Sequence, residues 1–527
     1  MRRVARLALE KIESAYDAVF TPAWNPLYQL GALGWFFYWI VAASGIYLYI
    51  FFDSGVTDAY VSVERITNVQ WYAGGVMRSF HRYASDALVI VVMIHLVREY
   101  ILDRLRGARW FAWVTGVAAL WMIFAAGISG YWIVWDLLAQ YIAIAFTEWL
   151  DALPIFGESI ARNFLHSASL SGRFFTLMVF IHIFVPLVLL LVMWLHIHRH
   201  VGAKVNPPRG LAIGTSAAML ALAFVWPAHS QGPADLDTVP AVLGLDWFYL
   251  AALPLSEHVS GLGLWAGFGI ATLVLVLMPW LPPARSSQVA VVNLANCNGC
   301  GRCHEDCPFG AVTMEPRSDA APYPLEAVVN ADQCVSCGIC TGACPTSTPF
   351  RRRSEPVAGI EQPGLTTQNL RERCISAVEQ LSGPERVLVV GCSHGAQLQG
   401  LTTGSVGVVE LPCVGMLPPA FIDFLITRDH VDGIMLTGCR EGDCHFRHGI
   451  RWTRQRIERQ RDPYLRERVP RERLASCFPG VDRPGSLADA IVQFREQLTA
   501  VKVRRKAQDT QAASSYIPQA EGVTDNV

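Results

Sequence analysis

Residues 78–98 read RSFHRYASDALVIVVMIHLVR, and residues 182–196 read HIFVPLVLLLVMWLH. Each is an apolar run with a histidine near either end: His81 and His95 in the first, His182 and His196 in the second, 14 residues apart in both cases. In a helix, fourteen steps of about 100° return to nearly the same face, with a rise of roughly 21 Å. A hydrocarbon core is ~30 Å thick, so each helix carries one imidazole towards each side of a bilayer. Two such helices side by side offer two stacked pairs, His81 with His182 near the outer side and His95 with His196 near the inner side. Neutral imidazole is a good axial ligand, and ionisable groups inside a membrane are functional suspects. The expected occupants are two haems, one above the other. The glycines repeat the interval, with Gly31 and Gly45 in one apolar run and Gly116 and Gly130 in another, again 14 apart. Omitting a side chain at the level of each haem lets a flat macrocycle approach the helix backbone. Glycine also permits close packing of membrane helices. Two glycine pairs with the spacing of both histidine pairs favour the haem reading.

Outward from these runs, six stretches are apolar enough to span, near 31–52, 84–102, 110–133, 174–197, 211–228 and 261–282; about 20 residues suffice for each. Basic residues set the orientation. Arg2, Arg3 and Arg6 precede the first span, and Arg98, Arg104, Arg106 and Arg109 separate the second from the third. Arg199, Lys204 and Arg209 follow the fourth, and Arg285 follows the sixth. The loop between the fifth and sixth, with Asp235, Asp237 and Asp246, has no Lys or Arg. Both termini are therefore expected on the cytoplasmic side of the inner membrane. The charged, amphipathic segment Met1–Phe20 lacks the apolar core and cleavage site of a signal peptide. A chain of 527 residues is too long for one core, and its net charge of −1 gives no footing for nucleic acid.

The membrane half resembles cytochrome b of the quinol-oxidising bc family. The resemblance rests on Arg78 three before His81, the four-histidine frame, Pro186 four after His182, and Gly130–Tyr131 at the end of the third span. It implies an all-α bundle with His81, His182, His95 and His196 as ligands of two b haems, with Arg78, Gly31, Gly45, Gly116 and Gly130 around them. It extends to about residue 283, where Gly232–Asp235 and Leu245–Phe248 resemble the loop carrying the family's Pro-Glu-Trp-Tyr motif. Here Leu245 replaces the Pro, Asp246 the Glu and Phe248 the Tyr, and the arm is shorter. The retained carboxylate makes Asp246 the candidate catalytic residue, accepting a proton from quinol at an outer site. The alternative is a surface acid beside an interfacial Trp.

All fourteen cysteines lie in the second half, eight of them between Cys297 and Cys344. Cys297-x2-Cys300-x2-Cys303-x3-Cys307-Pro308 is repeated as Cys334-x2-Cys337-x2-Cys340-x3-Cys344-Pro345. This is the bacterial ferredoxin pattern written twice, in which the fourth cysteine of each run crosses to the other cluster. One [4Fe–4S] cluster is expected on Cys297, Cys300, Cys303 and Cys344, and a second on Cys334, Cys337, Cys340 and Cys307. Gly299, Gly301 and Gly338 ease the turns between ligands. Zinc also binds such pairs, but the doubled frame with both prolines speaks for clusters. Thiolate clusters fit a reducing cytoplasm.

Beyond Glu372 short apolar runs, 386–390, 406–411 and 433–436, alternate with a helical stretch at 418–430. They predict a small α/β domain with parallel strands. Cys392, Cys413 and Cys439 follow the three strand ends, where such sheets place their sites, and Cys444 comes five residues later. The four can converge on one [2Fe–2S] cluster, or be buried thiols or a redox disulfide. Residues 384–460, above all Gly438–His445 with Arg447 and Gly449, resemble the delta subunit of methyl-viologen-reducing hydrogenases, a domain also found with heterodisulfide-reductase-like flavoproteins. That resemblance implies the [2Fe–2S] cluster. Cys374 and Cys477 fall outside it and are read as plain thiols. His445 is read as a polar neighbour, with ligation as the alternative.

The organisation expected is an amphipathic helix (1–21), a dihaem four-helix bundle (22–200), two further spans with the outer loop (201–284), an α+β ferredoxin-like domain (285–350), a linker (351–371) whose Arg351–Arg353 form a basic run, the α/β domain (372–500) and a disordered tail (501–527). No G-x-G-x-x-G fingerprint and no Rieske-type motif is present. Two-electron chemistry is thus expected on quinone at one end and on a partner at the other. The leading reading is the electron-transfer subunit of a quinone-linked oxidoreductase, with a soluble flavoprotein of the heterodisulfide-reductase type as partner. A hydrogenase or sulfur-enzyme anchor is the rival, and a redox sensor or scaffold the third. The cytochrome b part also allows a homodimer.

Overall fold

The computed structural model describes residues 2–155, 159–160, 165, 170–198, 203–281, 288–350 and 356–515; of Pro484 and of 505–515 only the backbone is described. Arg199, Arg285 and Arg351–Arg353 lie outside these residues. The chain divides into two compact units, 1–286 and 287–527.

The first unit is helical. Its main helices are α1 (Arg2–Trp24), α2 (Leu30–Phe51), α3 (Val76–Ile101), α4 (Trp110–Trp132), α5 (Leu137–Asp151), α6 (Gly172–His198), α7 (Arg209–Val225) and α8 (Gly261–Leu277). Helix α1 breaks at Thr21, where the following Pro22 disfavours helical backbone. Helix α2 packs along α3, and α4 along α6, so each histidine-bearing helix lies against one glycine-bearing helix. Among the described residues four helices are long and apolar enough to cross a membrane: Leu30–Phe51, Gly107–Trp132, Gly172–His198 and Gly261–Trp280. The other two expected spans fall short for different reasons. Helix α3 has the length but carries Arg78, Arg82, Asp86, Arg98 and Glu99, while α7 has only 17 residues. Helix α5 was not expected. Asp136 caps it by accepting from Ala139 N at 2.9 Å, and Gln140 Nε2 donates to the carbonyls of Asp235 at 2.7 Å and Thr238 at 2.8 Å. Helix α5 thereby fastens the loop that precedes Asp246. At the other end, Glu13 of α1 meets Arg98 of α3 at 2.9 Å, both side chains buried.

The second unit begins with β1 (Val291–Val292), the hairpin β2 (Val312–Pro316) and β3 (Leu325–Val329), and two short helices, Arg302–Glu305 and Ile339–Ala343. Strand β4 (Ile360–Glu361) pairs antiparallel with β1. The stretch 351–371 is therefore no free linker in its described part: Glu361 also accepts from Ala358 N and Thr367 N, drawing it onto the cysteine-rich domain. Next come α9 (Thr367–Glu379), β5 (Val387–Cys392), β6 (Val406–Leu411), α10 (Pro419–Thr427), β7 (Gly433–Thr437), α11 (Gly449–Ile457), β8 (Leu474–Cys477) and α12 (Pro484–Ser515). The sheet has order β6-β5-β7-β8 and is parallel throughout. Every residue of β5 and β7 is buried, as expected of central parallel strands covered on both faces. The fourth strand, β8, was not foreseen; its Leu-Ala-Ser-Cys sequence is too short and mixed to declare itself. Helix α12 runs to Ser515, so the disorder expected from 501 does not begin there.

Candidate metal centres

The membrane unit brings His81 and His182 together, with ring centroids 6.1 Å apart. Metal–imidazole bonds of ~2 Å on both sides of one ion, plus the two ring radii, give roughly this separation. The rings are also held in one tautomer. His81 Nδ1 lies 3.0 Å from the carbonyl oxygen of Val41, and His182 Nδ1 lies 3.0 Å from that of Ala126. A carbonyl only accepts, so each Nδ1 carries the proton and each Nε2 keeps its lone pair for a metal. A hydroxyl braces the same nitrogen: Ser44 Oγ at 3.2 Å on His81 and Ser129 Oγ at 3.3 Å on His182. His196 repeats the arrangement, with Thr115 Oγ1 at 3.1 Å and the carbonyl of Ala112. In all three the partner helix supplies a carbonyl, then a hydroxyl three residues on, then a glycine. Sequence reading missed Ser44, Thr115 and Ser129, although a Ser or Thr directly before each of those glycines is a visible signal. His95 breaks the rule. Leu30 precedes Gly31, and His95 Nδ1 faces Glu99 Oε1 at 4.0 Å.

Each of the four glycines lies against one imidazole. A Cβ on Gly130 would come within 2.8 Å of His182 Cε1, one on Gly45 within 3.0 Å of His81 Cε1, one on Gly116 within 3.4 Å of His196 Cε1 and one on Gly31 within 3.8 Å of His95 Cε1. The space freed by each glycine is thus taken first by the imidazole itself.

Asp246 stands at the start of a short helical turn, Trp247–Leu250. It pairs with Arg82 and accepts from the hydroxyl of Tyr131. Arg82 also meets Asp86 at 3.2 Å and lies 4.1 Å over the ring of Tyr131, so the carboxylate belongs to a charged group beside His81. The roles of Arg82 and Asp86 were not legible beforehand. Arg78 is placed apart from this group, bonded to Thr67 and to Ser230 Oγ at 2.8 Å, and 3.5 Å from Glu64.

In the second unit the eight cysteines of the doubled frame line two separate cavities. Cys297, Cys300, Cys303 and Cys344 line one. Cys307, Cys334, Cys337 and Cys340 line the other. The fourth cysteine of each run has crossed to the other's cavity. Gly299 at φ 63° and Gly338 at φ 75° make the turns between ligands, and a Cβ on Gly299 would strike the carbonyl oxygen of Leu325. Burial and the neighbouring Cys344, Cys300 and Cys297 push the Cys303 thiol up to about 12. Burial and Cys337, Cys307 and Cys334 raise Cys340. Crowded thiols resist ionising alone, which suits a donor set meant to share cationic iron.

Cys392, Cys413, Cys439 and Cys444 converge at the ends of the parallel strands. Cys392 and Cys444 each interact with both Cys413 and Cys439, and the Sγ atoms of Cys413 and Cys444 both face Gly449. Hydrogen bonds from Cys413 and Cys439 hold Cys392 and Cys444 below the ordinary thiol range. Val414 N adds one to Cys392 Sγ at 3.0 Å. Donating the shared protons raises Cys413 and Cys439. His445 contributes its amide, 3.5 Å from Cys439 Sγ, while its ring stacks on His394 with centroids 3.7 Å apart. Cys374 is buried in α9, where burial lifts its thiol to about 12, and Cys477 closes β8 half-buried. Among the described residues no group of three or more His, Cys, Asp or Glu has the arrangement of a single bound ion. The thiol sets are to be compared with clusters, whose inorganic core spaces its ligands.

Residues 16–200 match the family cytochrome b/b6/petB, residues 296–348 the 4Fe–4S dicluster domain, and residues 396–502 the methyl-viologen-reducing hydrogenase delta subunit. The loop of Asp246 lies beyond the first match, and Cys392 just before the third. Cytochrome b6 of Porphyra purpurea is 29% identical over 194 residues, covering 36% of this chain and 89% of that protein. A chain of a hyperthermophilic respiratory complex III aligns with a TM-score of 0.42 and 18% identity, over 49% of this chain and 77% of its own. The cytochrome b match implies haem b, and the dicluster match implies [4Fe–4S] clusters. This integral membrane protein is therefore a three-part fusion, joining a cytochrome b region, a 4Fe–4S dicluster ferredoxin domain and a hydrogenase delta-subunit domain in one polypeptide.

Proposed function

We propose that this electron-transfer chain is the membrane subunit of a quinone-linked oxidoreductase whose soluble partner is a flavoprotein of the heterodisulfide-reductase type. The observation that carries the reading is the covalent union of facing imidazoles in a helix bundle with three thiol sets in the second unit. When bound, b haems, [4Fe–4S] clusters and a [2Fe–2S] cluster supply one-electron transfer between the two ends. His81 and His182 hold the outer haem, and His95 and His196 the inner. The two crossed cysteine sets hold the [4Fe–4S] clusters, and Cys392, Cys413, Cys439 and Cys444 the [2Fe–2S] cluster. Asp246 accepts the proton that quinol releases at the outer face, with Arg82 and Tyr131 orienting its carboxylate. The excess of basic residues in one set of loops supports a topology with both termini and the second unit on the cytoplasmic side.

Purified protein, titrated anaerobically and followed by visible and EPR spectroscopy, tests this reading. Two b-type potentials with [4Fe–4S] and [2Fe–2S] signals support it; one haem, or no EPR-active cluster, overturns it. His196→Ala is expected to abolish the inner haem and spare the outer, leaving roughly half the haem per protein. Both haems retained in that variant would refute the pairing. The match of residues 396–502 favours one second reading, a hydrogenase anchor. A copurifying subunit containing flavin supports the first, and one containing a hydrogenase metal centre supports the second.

A further inference from the structure

We propose that the four-thiol site of the C-terminal domain is built against the second cysteine set (Cys307, Cys334, Cys337, Cys340) and not the first, which orders the three sites as first set, second set, four thiols. The inference rests on the reading of all three as cluster sites and adds the order to it.

Three independent features of the second unit carry it. The first is the division of the apolar core. Cys337, and Cys307 at its edge, share one core with Cys392, Cys413, Cys439 and Cys444. Cys297, Cys303 and Cys344 pack instead in a second cluster around Ala290, Val312 and Ala327, which Cys340, Cys334 and Cys307 share, so the second set reaches into both clusters while no cysteine of the first set enters the core of the four thiols.

The second is a glycine-to-glycine contact. The turn Val414–Met416 directly follows Cys413 and lies against both the Ile339–Ala343 helix and α11. Gly338 and Gly342, in the loop and helix that carry Cys337 and Cys340, press on it. A Cβ on Gly338 would come within 2.5 Å of Met416 Sδ, and one on Gly342 would strike the Gly415 carbonyl oxygen. On the far side of the turn, a Cβ on Gly449 would strike Cys413 Sγ. The backbones of Gly342 and Gly415 therefore meet directly, with the side chains of Ile339, Met416 and Arg456 packed beside the contact.

The third is a buried clamp. Asp306, one residue before Cys307, pairs with Arg456 of α11 and with Arg461 Nε at 2.5 Å. Trp452 Nε1 donates to the Asp306 carbonyl at 3.2 Å, and Arg447 donates to the Pro308 carbonyl at 3.2 Å. Four side chains from around α11 thus hold the Cys307 loop from both sides. Beside the first set, Arg302 meets Asp462 at 3.0 Å in a part-exposed pair.

The test is the power saturation of the [2Fe–2S] EPR signal in the dithionite-reduced, full-length protein, where a nearby paramagnet speeds relaxation. Cys337→Ser, which damages the second set, is expected to lower the half-saturation power several-fold. Cys300→Ser, which damages the first set at an exposed cysteine, is expected to leave it near wild type. The opposite pattern, or equal effects, overturns the order while leaving the cluster reading intact. If Cys337→Ser does not accumulate, Cys300→Ser decides alone: relaxation kept supports the order, relaxation lost overturns it. A wild-type protein with no [2Fe–2S] signal would overturn both the cluster reading and the order built on it.

Discussion

Replacing Asp306 by alanine is expected to destabilise the second unit by ~3–5 kcal/mol, the usual cost of breaking a buried ion pair by removing one partner. Asp306 and Arg456 are 3% and 1% exposed at their side chains. Burial pushes the Arg456 guanidinium down, and the Asp306 charge is the main influence opposing it. Without Asp306 a buried cation keeps only the Gly415 carbonyl, 2.8 Å away. Arg456→Ala removes the cation instead and leaves Asp306 to Arg461, so its cost should be smaller. Arg302→Ala serves as the surface control. Its pair with Asp462 is part-exposed, and such pairs contribute ~0–1 kcal/mol. Native-state hydrogen exchange at the amides of β5 in the full-length protein reads these differences directly. A loss of under ~1 kcal/mol in Asp306→Ala would mean that water reaches the pair.

Gly130→Ala is expected to cost the outer haem, leaving roughly half of the wild-type haem, whereas Gly31→Ala should retain both. The two glycines occupy equivalent places in the 14-residue frame, so sequence alone treats them alike. Their surroundings differ. The Cβ of alanine at 130 would stand 2.8 Å from His182 Cε1, inside van der Waals contact. The imidazole cannot easily retreat, because Ala126 and Ser129 on the same helix hold its Nδ1. At 31 the corresponding distance is 3.8 Å, an ordinary contact. Gly45→Ala, at 3.0 Å from His81, should follow Gly130, and Gly116→Ala should fall between. Haem extracted and quantified per protein, with reduced-minus-oxidised spectra, ranks the four. Equal haem in Gly130→Ala and Gly31→Ala would show that the imidazole yields, and the tight-fit account would fall.

What the sequence determined by itself is whatever one element carries at a regular interval. His81 and His95, or Gly116 and Gly130, share a helix, and the helical repeat puts both members on one face without help from the rest of the fold. The doubled cysteine frame is of the same kind, since short turns hold its ligands within a few residues of one another. Strands β5 and β7 were legible because a strand buried on both faces must be apolar throughout. Tertiary structure decided what depends on residues far apart in the chain. Asp246 meets Arg82 across more than 160 positions, and Asp306 meets Arg456 across 150. No periodicity links such partners, and a lone Asp or Arg reads as surface until packing buries it. The same holds for Ser44, Thr115 and Ser129, whose hydroxyls acquire meaning only when a second helix brings an imidazole to them. It holds too for the four thiols: chain order placed Cys392, Cys413 and Cys439 at three strand ends and Cys444 in the loop beyond, but only the lateral order β6-β5-β7 brought them to one point, because sheet neighbours are chosen by packing rather than by sequence.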